Sequence, residues 1–227
     1  MKSKASPGRW LTNLLIYVVM IFFVCLAVFP VVLTFFNAFK TRRAIFTSPL
    51  MPPTPETFSL VGFQTVFDRT NFGWYMVNSL VVTLASMALI LLLGSMAAWA
   101  LSEYEFRGSA VLAVYLAIGI MIPIRLGTVS ILRLVVGLGL INSLPALILV
   151  YTAMGLPLTV FVLQQFMRQV PKELKAAARV DGASEYRIYR LVLPLVAPAV
   201  ATVAVFTMIP IWNDLWFPLI LAPGEST

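Results

Sequence analysis

The residues able to do chemistry are few, and they cluster. The string PKELKAAARVDGASEYRIYRLVLP, residues 171–194, is the one strongly charged stretch of the chain. Its composition suits recognition more than bond-making. Ala176, Ala177 and Ala178 leave a helix face with almost no side chain, along which another protein can bring its backbone close; Arg179, Arg187 and Arg190 surround that face. Asp214 is the only acid within or next to an apolar run, where an ionisable group is functional by default. Asn213 and Trp212 beside it, and Asn78 far upstream, offer hydrogen bonding and an aromatic face for stacking. The same residues also suit a membrane–water interface, where tryptophan is common. Asp214 lies 20 residues beyond Pro194, far enough along a span to meet water there.

Covalent chemistry has little to work with. There is no histidine, which removes the commonest general base and transition-metal ligand. Cys25 is the only cysteine, so an internal disulfide and a thiolate zinc cluster are excluded; in the middle of an apolar run it reads as a small buried hydrophobe. No G-x-x-x-x-G-K-[ST] string occurs, so any ATP must be handled by another chain. An intramembrane enzyme would lack a catalytic constellation. No catalytic residue, metal or cofactor is expected.

The elements that must position these groups follow from composition. Of 227 residues, 60% are hydrophobic and only 11% charged, and the mean hydropathy is +0.95. A soluble domain carries roughly 25% charged residues. A net charge of +7 then places basic side chains at helix ends against anionic lipid and does not imply nucleic acid. Charge-free runs long enough to cross the bilayer occur five times, at about residues 11–36, 75–101, 108–124, 140–167 and 194–221. They are apolar all round, as in Leu89 to Leu93, which excludes the alternation of barrel strands. The first run is far longer than a signal-peptide core. The expected fold is therefore an all-α polytopic membrane protein, one transmembrane domain over residues 1–227. With the N-terminus in the cytoplasm, the inside segments hold ten of the sixteen basic residues, including Lys2, Lys4 and Arg9. The outside loop at about residues 37–73, with Pro49, Pro52, Pro53 and Pro55, is expected to be extended and only partly ordered. The prolines within spans (Pro30, Pro123, Pro145, Pro157, Pro198, Pro210 and Pro218) are expected to kink them.

Residues 168–193 then form a cytoplasmic hairpin. Pro171 suits a first helical turn, residues 172–180 are good helix formers, and Gly182 interrupts them. Asp181 is placed to cap the helix that follows, Tyr186, Tyr189 and Leu193 share one face of it, and Pro194 marks entry to the fifth span. On physical grounds this helix–glycine–helix unit is equally a docking element for a cytoplasmic partner or an amphipathic segment resting on lipid.

The segment closely resembles the E-A-A…G motif of permease subunits in bacterial binding-protein-dependent ABC importers, through Pro171, Leu174, Ala177, Ala178, Asp181, Gly182, Ala183, Leu193 and Pro194. Phe39-Lys40 after the first span, Asn78-Ser79-Leu80, residues 97–106 and Trp212-Asn213-Asp214 extend the likeness over nearly the whole chain. Together they resemble the second permease of maltose-type carbohydrate importers. The motif glutamate two residues before Ala178 is Ala176 here, and Glu173 lies one turn upstream. The resemblance implies a subunit without enzymatic activity in the bacterial cytoplasmic (inner) membrane, forming part of a carbohydrate translocation path. Its partners would be a second homologous permease, two cytoplasmic ATP-binding subunits, a periplasmic or lipid-anchored sugar-binding protein and membrane lipid. The ATPase would dock on Glu173, Ala176, Ala177, Ala178, Asp181, Gly182, Ala183, Leu193 and Pro194; Asn78, Trp212, Asn213 and Asp214 would line the pathway. Such permeases have six spans with both ends inside, so a sixth helix is expected beyond the five found here. The competing reading is a non-transport membrane scaffold or an ATP-independent channel, neither of which needs the alanine-faced hairpin.

Overall fold

A computed structural model describes residues 7–224, with side chains from Trp10 onward. The basic side chains expected to fix the orientation at Lys2, Lys4 and Arg9 lie outside the described residues. The described chain is helical apart from one isolated bridge and falls into two compact units, residues 1–73 and 74–227.

The first unit carries α1 (Pro7–Ala38), α2 (Arg42–Thr47) and α3 (Val61–Arg69). Cys25 is exposed on α1 and not buried as its apolar surroundings suggested; on a spanning helix an outward apolar side chain meets lipid at little cost. The loop after α1 is more ordered than its prolines imply. Lys40 is only 4% exposed, and its Nζ donates to Asn37 Oδ1 at 3.2 Å and to the Ser48 carbonyl at 2.8 Å. Asn37 in turn donates to the carbonyls of Leu33 and Pro49. A buried ammonium must find acceptors, and here they draw residues 48 and 49 back onto the end of α1. Phe39 stacks on Phe58 and packs against Phe63, closing a bridge in which Thr41 and Ser59 exchange backbone hydrogen bonds with Thr57 and Phe39. The Phe39-Lys40 pair therefore folds this loop.

The second unit is built on α4 (Phe72–Glu103), which begins at the boundary, and α7 (Leu144–Gln169). With α1 these are the helices long and apolar enough to cross a membrane individually. The third and fifth expected spans are bent. α5 (Ser109–Met121) turns through 91° at Ile122 and Pro123 into a short 3₁₀ turn (Ile124–Gly127) and α6 (Thr128–Gly137). α9 (Glu185–Leu195) turns through 76° at Val196 into α10 (Ala197–Trp212), and α11 (Trp216–Leu221) follows. Counting each bent pair as one span gives five. Pro194 accordingly sits inside α9, just before the bend into α10. Pro145 and Pro198 occupy first turns, where no backbone donor is lost, and Pro123 sits at the bend; Pro30, Pro157 and Pro210 lie inside helices.

Small residues let α4 and α7 cross closely. A Cβ at Gly94 would lie 2.4 Å from Thr159 Cγ2, and one at Gly155 would lie 2.5 Å from Ile90 Cδ1. Each helix thus offers a glycine to the other's branched side chain, the close approach that stabilises helix pairs in lipid. Polar side chains add to the packing: Ser95 Oγ and the Tyr189 hydroxyl are 2.7 Å apart in the interior. Two apolar clusters result. One gathers Ala98, Trp99 and Leu101 of α4 with Leu163, Met167, Ile188 and Val192. The other gathers Val82 with Val135, Leu147, Tyr151, Phe217 and Leu221. Asn78 and Glu103, beside the two clusters on α4, are separated by roughly 38 Å at a rise of 1.5 Å per residue, more than the roughly 30 Å hydrocarbon thickness.

Candidate functional site

The hairpin is formed by α8 (Lys172–Val180) and α9. Pro171 stands just outside α8, and the turn that follows is set by the backbone. Ala183 N–H donates to the Ala178 carbonyl at 2.9 Å and Gly182 N–H to the Arg179 carbonyl at 3.0 Å. This is the paired C-terminal motif that needs a left-handed residue, and Gly182 supplies it with φ +76°. Asp181 ends α8 and does not cap α9, as its position in sequence suggested; α9 starts after Ser184, whose carbonyl accepts from Arg187 and Ile188. Asp181's side chain is exposed and makes no hydrogen bond with the described residues.

The alanine stripe divides. Glu173, Ala176, Ala177 and Val180 share an outward face, and Val180 is 87% exposed. Ala178, Ala183 and Leu193 turn inward against the cluster that holds Trp99 and Met167. The buried face of α9 is Ile188, Tyr189 and Val192, leading to Val196; Tyr186 is exposed and Leu193 half-buried, so the expected stripe is displaced around the helix. Glu173 is exposed and makes no ion pair or hydrogen bond with the described residues. The acid that engages the hairpin comes instead from α4. Glu103 Oε2 lies 2.6 Å from Lys175 Nζ, and its Oε1 lies 2.6 Å from Arg179. Arg179 also reaches Glu185 at 2.9 Å, and the Tyr104 hydroxyl donates to Glu185 at 2.7 Å. The Arg179 guanidinium, and next the Tyr104 hydroxyl, hold the Glu185 carboxyl below the usual carboxylate range. Burial, and then the bond to Glu185, push the Tyr104 phenol up. Gln164 and Arg168 of α7 donate to the Leu101 carbonyl at 3.0 and 3.3 Å, satisfying the end of α4 where cations are favoured. Sequence spacing carried no signal for these contacts, because Glu103 and Lys175 are 72 residues apart.

At the other end, the break between α10 and α11 brings Asp214 inward, with its side chain 12% exposed. Its Oδ2 accepts from the Tyr151 hydroxyl at 2.8 Å and the Phe217 N–H at 3.1 Å; Oδ1 accepts from the Trp216 N–H at 3.3 Å and lies 4.0 Å from Arg125. Asp214 therefore does not simply meet water at an interface. It holds the first turn of α11 and ties it to α7. Two cavities share Tyr151, Ile211 and Asp214: one of about 420 Å³ reached by Arg125 and Asn213, and one of about 90 Å³ reached by Asn78 and Trp212. The structure thus gathers the other three expected pathway residues around the two cavities that share the Asp214 carboxylate, and adds Tyr151 and Arg125. Replacing Asp214 with alanine is expected to destabilise the protein by about 1–2 kcal/mol, the range for a lost helix cap with a buried hydroxyl partner left unpaired. Asparagine, which keeps one acceptor, should destabilise it less. Thermal unfolding of detergent-purified protein measures this, and an unshifted midpoint for Asp214→Ala would refute the capping role.

A bundle of long apolar and bent helices with an exposed helix–glycine–helix hairpin at one end and, at the other, a largely apolar cavity edged by Asp214, Arg125 and Asn213 has the architecture of a multi-pass membrane protein. Its fold matches, with a TM-score of 0.83, a chain of a bacterial ABC transporter involved in the import of the acidic polysaccharide alginate; the match covers 99% of this chain and 79% of that one at 20% identity. Residues 90–226 match the family described as binding-protein-dependent transport system inner membrane component, and the chain belongs to that family. It is 30% identical over 202 residues to a diacetylchitobiose uptake system permease protein of Streptomyces coelicolor, covering 88% of this chain and 66% of the relative. It is also 30% identical over 224 residues to an arabinooligosaccharides transport system permease protein of Halalkalibacterium halodurans, covering 97% of this chain and 78% of that one. The chain spans about two thirds of the length of the first of these relatives. The family is one of transport permeases and not of enzymes, so the scaffold and channel readings are not favoured.

Proposed function

We propose that this chain is a carbohydrate-importing permease whose residues 168–193 dock a cytoplasmic ATPase. In this reading residues 1–227 belong to one permease domain in a bacterial inner membrane, with the N-terminus in the cytoplasm. A second homologous permease completes the path, two ATP-binding subunits hydrolyse ATP below it, and a binding protein delivers sugar from the periplasm. The cargo class is supported by relatives named for diacetylchitobiose, arabinooligosaccharides and alpha-glucoside. Asn78, Trp212, Asn213 and Asp214, gathered around the two cavities, are the pathway candidates. Closure of the ATPase pair would shift the hairpin and bias the helices between two packings.

The observation that carries the docking reading is where the charges of α8 point. A helix resting on lipid presents its cations to the membrane surface. Here Lys175 is buried against Glu103, Arg179 is partly exposed but paired to Glu103 and Glu185, and Lys172 at the start of α8 is the remaining exposed cation. The outward face is the nearly bare Ala176–Ala177 surface flanked by Glu173 and Val180. Such a face suits a protein cleft better than an anionic headgroup layer. With cysteine placed at Ala177, an oxidative cross-link to cysteines around the permease-binding cleft of the co-expressed ATPase is expected. Cysteine at Lys175, which is buried, should not cross-link. Absence of any product from positions 173, 176, 177 and 180 would overturn both the docking and the cytoplasmic placement of the hairpin.

A further inference from the structure

We infer that Glu103 and Lys175 form a positioning pair that makes the hairpin and the end of α4 move as one body, so that displacement of the hairpin is delivered to the transmembrane helix. The inference rests on the docking reading above and adds residues that lie outside the docking face. Its basis is the asymmetry of the hairpin's attachments. Glu173, Ala176, Ala177 and Val180, the outward face of α8, make no polar side-chain contact with the described residues, and the Gly182 turn has no side chain of its own to hold α8 against α9. Three attachments converge on residues 99–104. Lys175, with its side chain 5% exposed, inserts its ammonium between Glu103 and the Trp99 ring, 5.8 Å from the ring centre. Glu103, 10% exposed, spends both oxygens on α8, one on Lys175 and one on Arg179. Arg179 passes the connection to Glu185 at the start of α9, and Tyr104 closes the loop back to residue 104.

A buried pair of this kind is not primarily a source of stability, since apolar replacement of both partners often costs nothing. It does fix geometry: Glu103 is the one acid that pairs with Lys175 among the described residues, and separation would leave the Lys175 ammonium uncompensated in a poorly solvated site while Glu103 kept only Arg179. A hairpin held only by apolar packing could rock about its glycine turn and absorb the push. Held through Glu103, it cannot move without moving the last turn of α4, which is continuous with the helix that crosses α7 at Gly94.

The test uses the complete transporter, with both permeases, the ATPase and the binding protein reconstituted in liposomes. Sugar uptake and ATP hydrolysis are measured together, and an Ala177→Cys reporter monitors docking. Glu103→Gln and Lys175→Met are expected to leave the cross-link and ATP hydrolysis in place while lowering sugar moved per ATP by roughly tenfold, the scale of a coupling lost through an intervening residue. Lys175→Arg, which keeps the charge and reach, should restore the ratio to near the parent value. An unchanged ratio in Glu103→Gln and Lys175→Met overturns the inference. Loss of the Ala177 cross-link in these variants also overturns it, because the pair would then only fold the docking face. Absence of the cross-link in the parent background refutes the docking reading itself, which separates the two failures.

Discussion

Gly182→Leu is expected to cut sugar uptake at least fivefold while the protein still inserts and accumulates in the membrane. The reason is conformational and not steric. No atom lies within 4 Å of a Cβ built at Gly182, so a side chain has room. But φ is +76°, a conformation that costs a residue with a Cβ roughly 1–2 kcal/mol. That strain shifts the turn between α8 and α9 by roughly 5–30-fold, and the turn, together with the attachments of Lys175 and Arg179, sets how Ala176 and Ala177 are presented. Asparagine tolerates the left-handed region better than leucine, so Gly182→Asn should retain most of the uptake. Complementation of a permease-deficient strain, with immunoblots for membrane abundance, reads both variants. If leucine transports as well as glycine, or asparagine fails as badly as leucine, backbone conformation is not what the position requires.

The second large effect lies at the crossing of α4 and α7. Gly155→Ala places a methyl 2.5 Å from Ile90 Cδ1 and 2.9 Å from Ile90 Cγ1, and Ile90 is fully buried. Overpacking of this kind typically destabilises by about 1–3 kcal/mol. Ile90→Ala removes every contacting atom, so the double variant Gly155→Ala/Ile90→Ala should recover much of the loss. At the reciprocal site the outcome differs. Gly94→Ala meets Thr159 Cγ2 at 2.4 Å and also Thr159 Cβ at 2.9 Å. Thr159→Ala removes the first atom and keeps the second, so rescue there should be weaker. Thermal unfolding midpoints in detergent give the coupling of each pair. Additive effects at both sites would mean that the helices separate and relieve the overlap without cost, contrary to a tight crossing.

The two sites had different sequence legibility. Gly94 belongs to a small-residue pair with Ala98, a pattern visible along one helix. Gly155 has no such signature, because what makes it necessary is an isoleucine on another helix. Gly182 was legible because a glycine between two helical patterns is a local signal. Asp181 was misread as a cap because capping depends on where the helix begins. The backbone bonds of Ala183 and Gly182 end α8 at Asp181, which leaves Ser184 to begin α9.

By itself the sequence determined that the chain is helical and multi-pass, where its apolar runs lie, and that its one charged hairpin turns at Gly182. These are local properties: hydropathy over about 20 residues fixes a span, and a missing side chain permits one backbone conformation. The family likeness rests on similarly local strings. The tertiary structure alone decided the rest. It bent the third span at Ile122 and Pro123 and the fifth at Val196; proline marks the first of these bends, but proline content does not say which sites bend, because Pro145 and Pro198 sit harmlessly in first turns and Pro30, Pro157 and Pro210 lie inside helices. It turned Asp214 into the cap and anchor of α11 by bringing up Tyr151 from 63 residues away. It also gave Lys175 to Glu103. An exposed lysine and a buried paired one look alike in a string of letters; only packing removes water from the charge and forces it to find a partner.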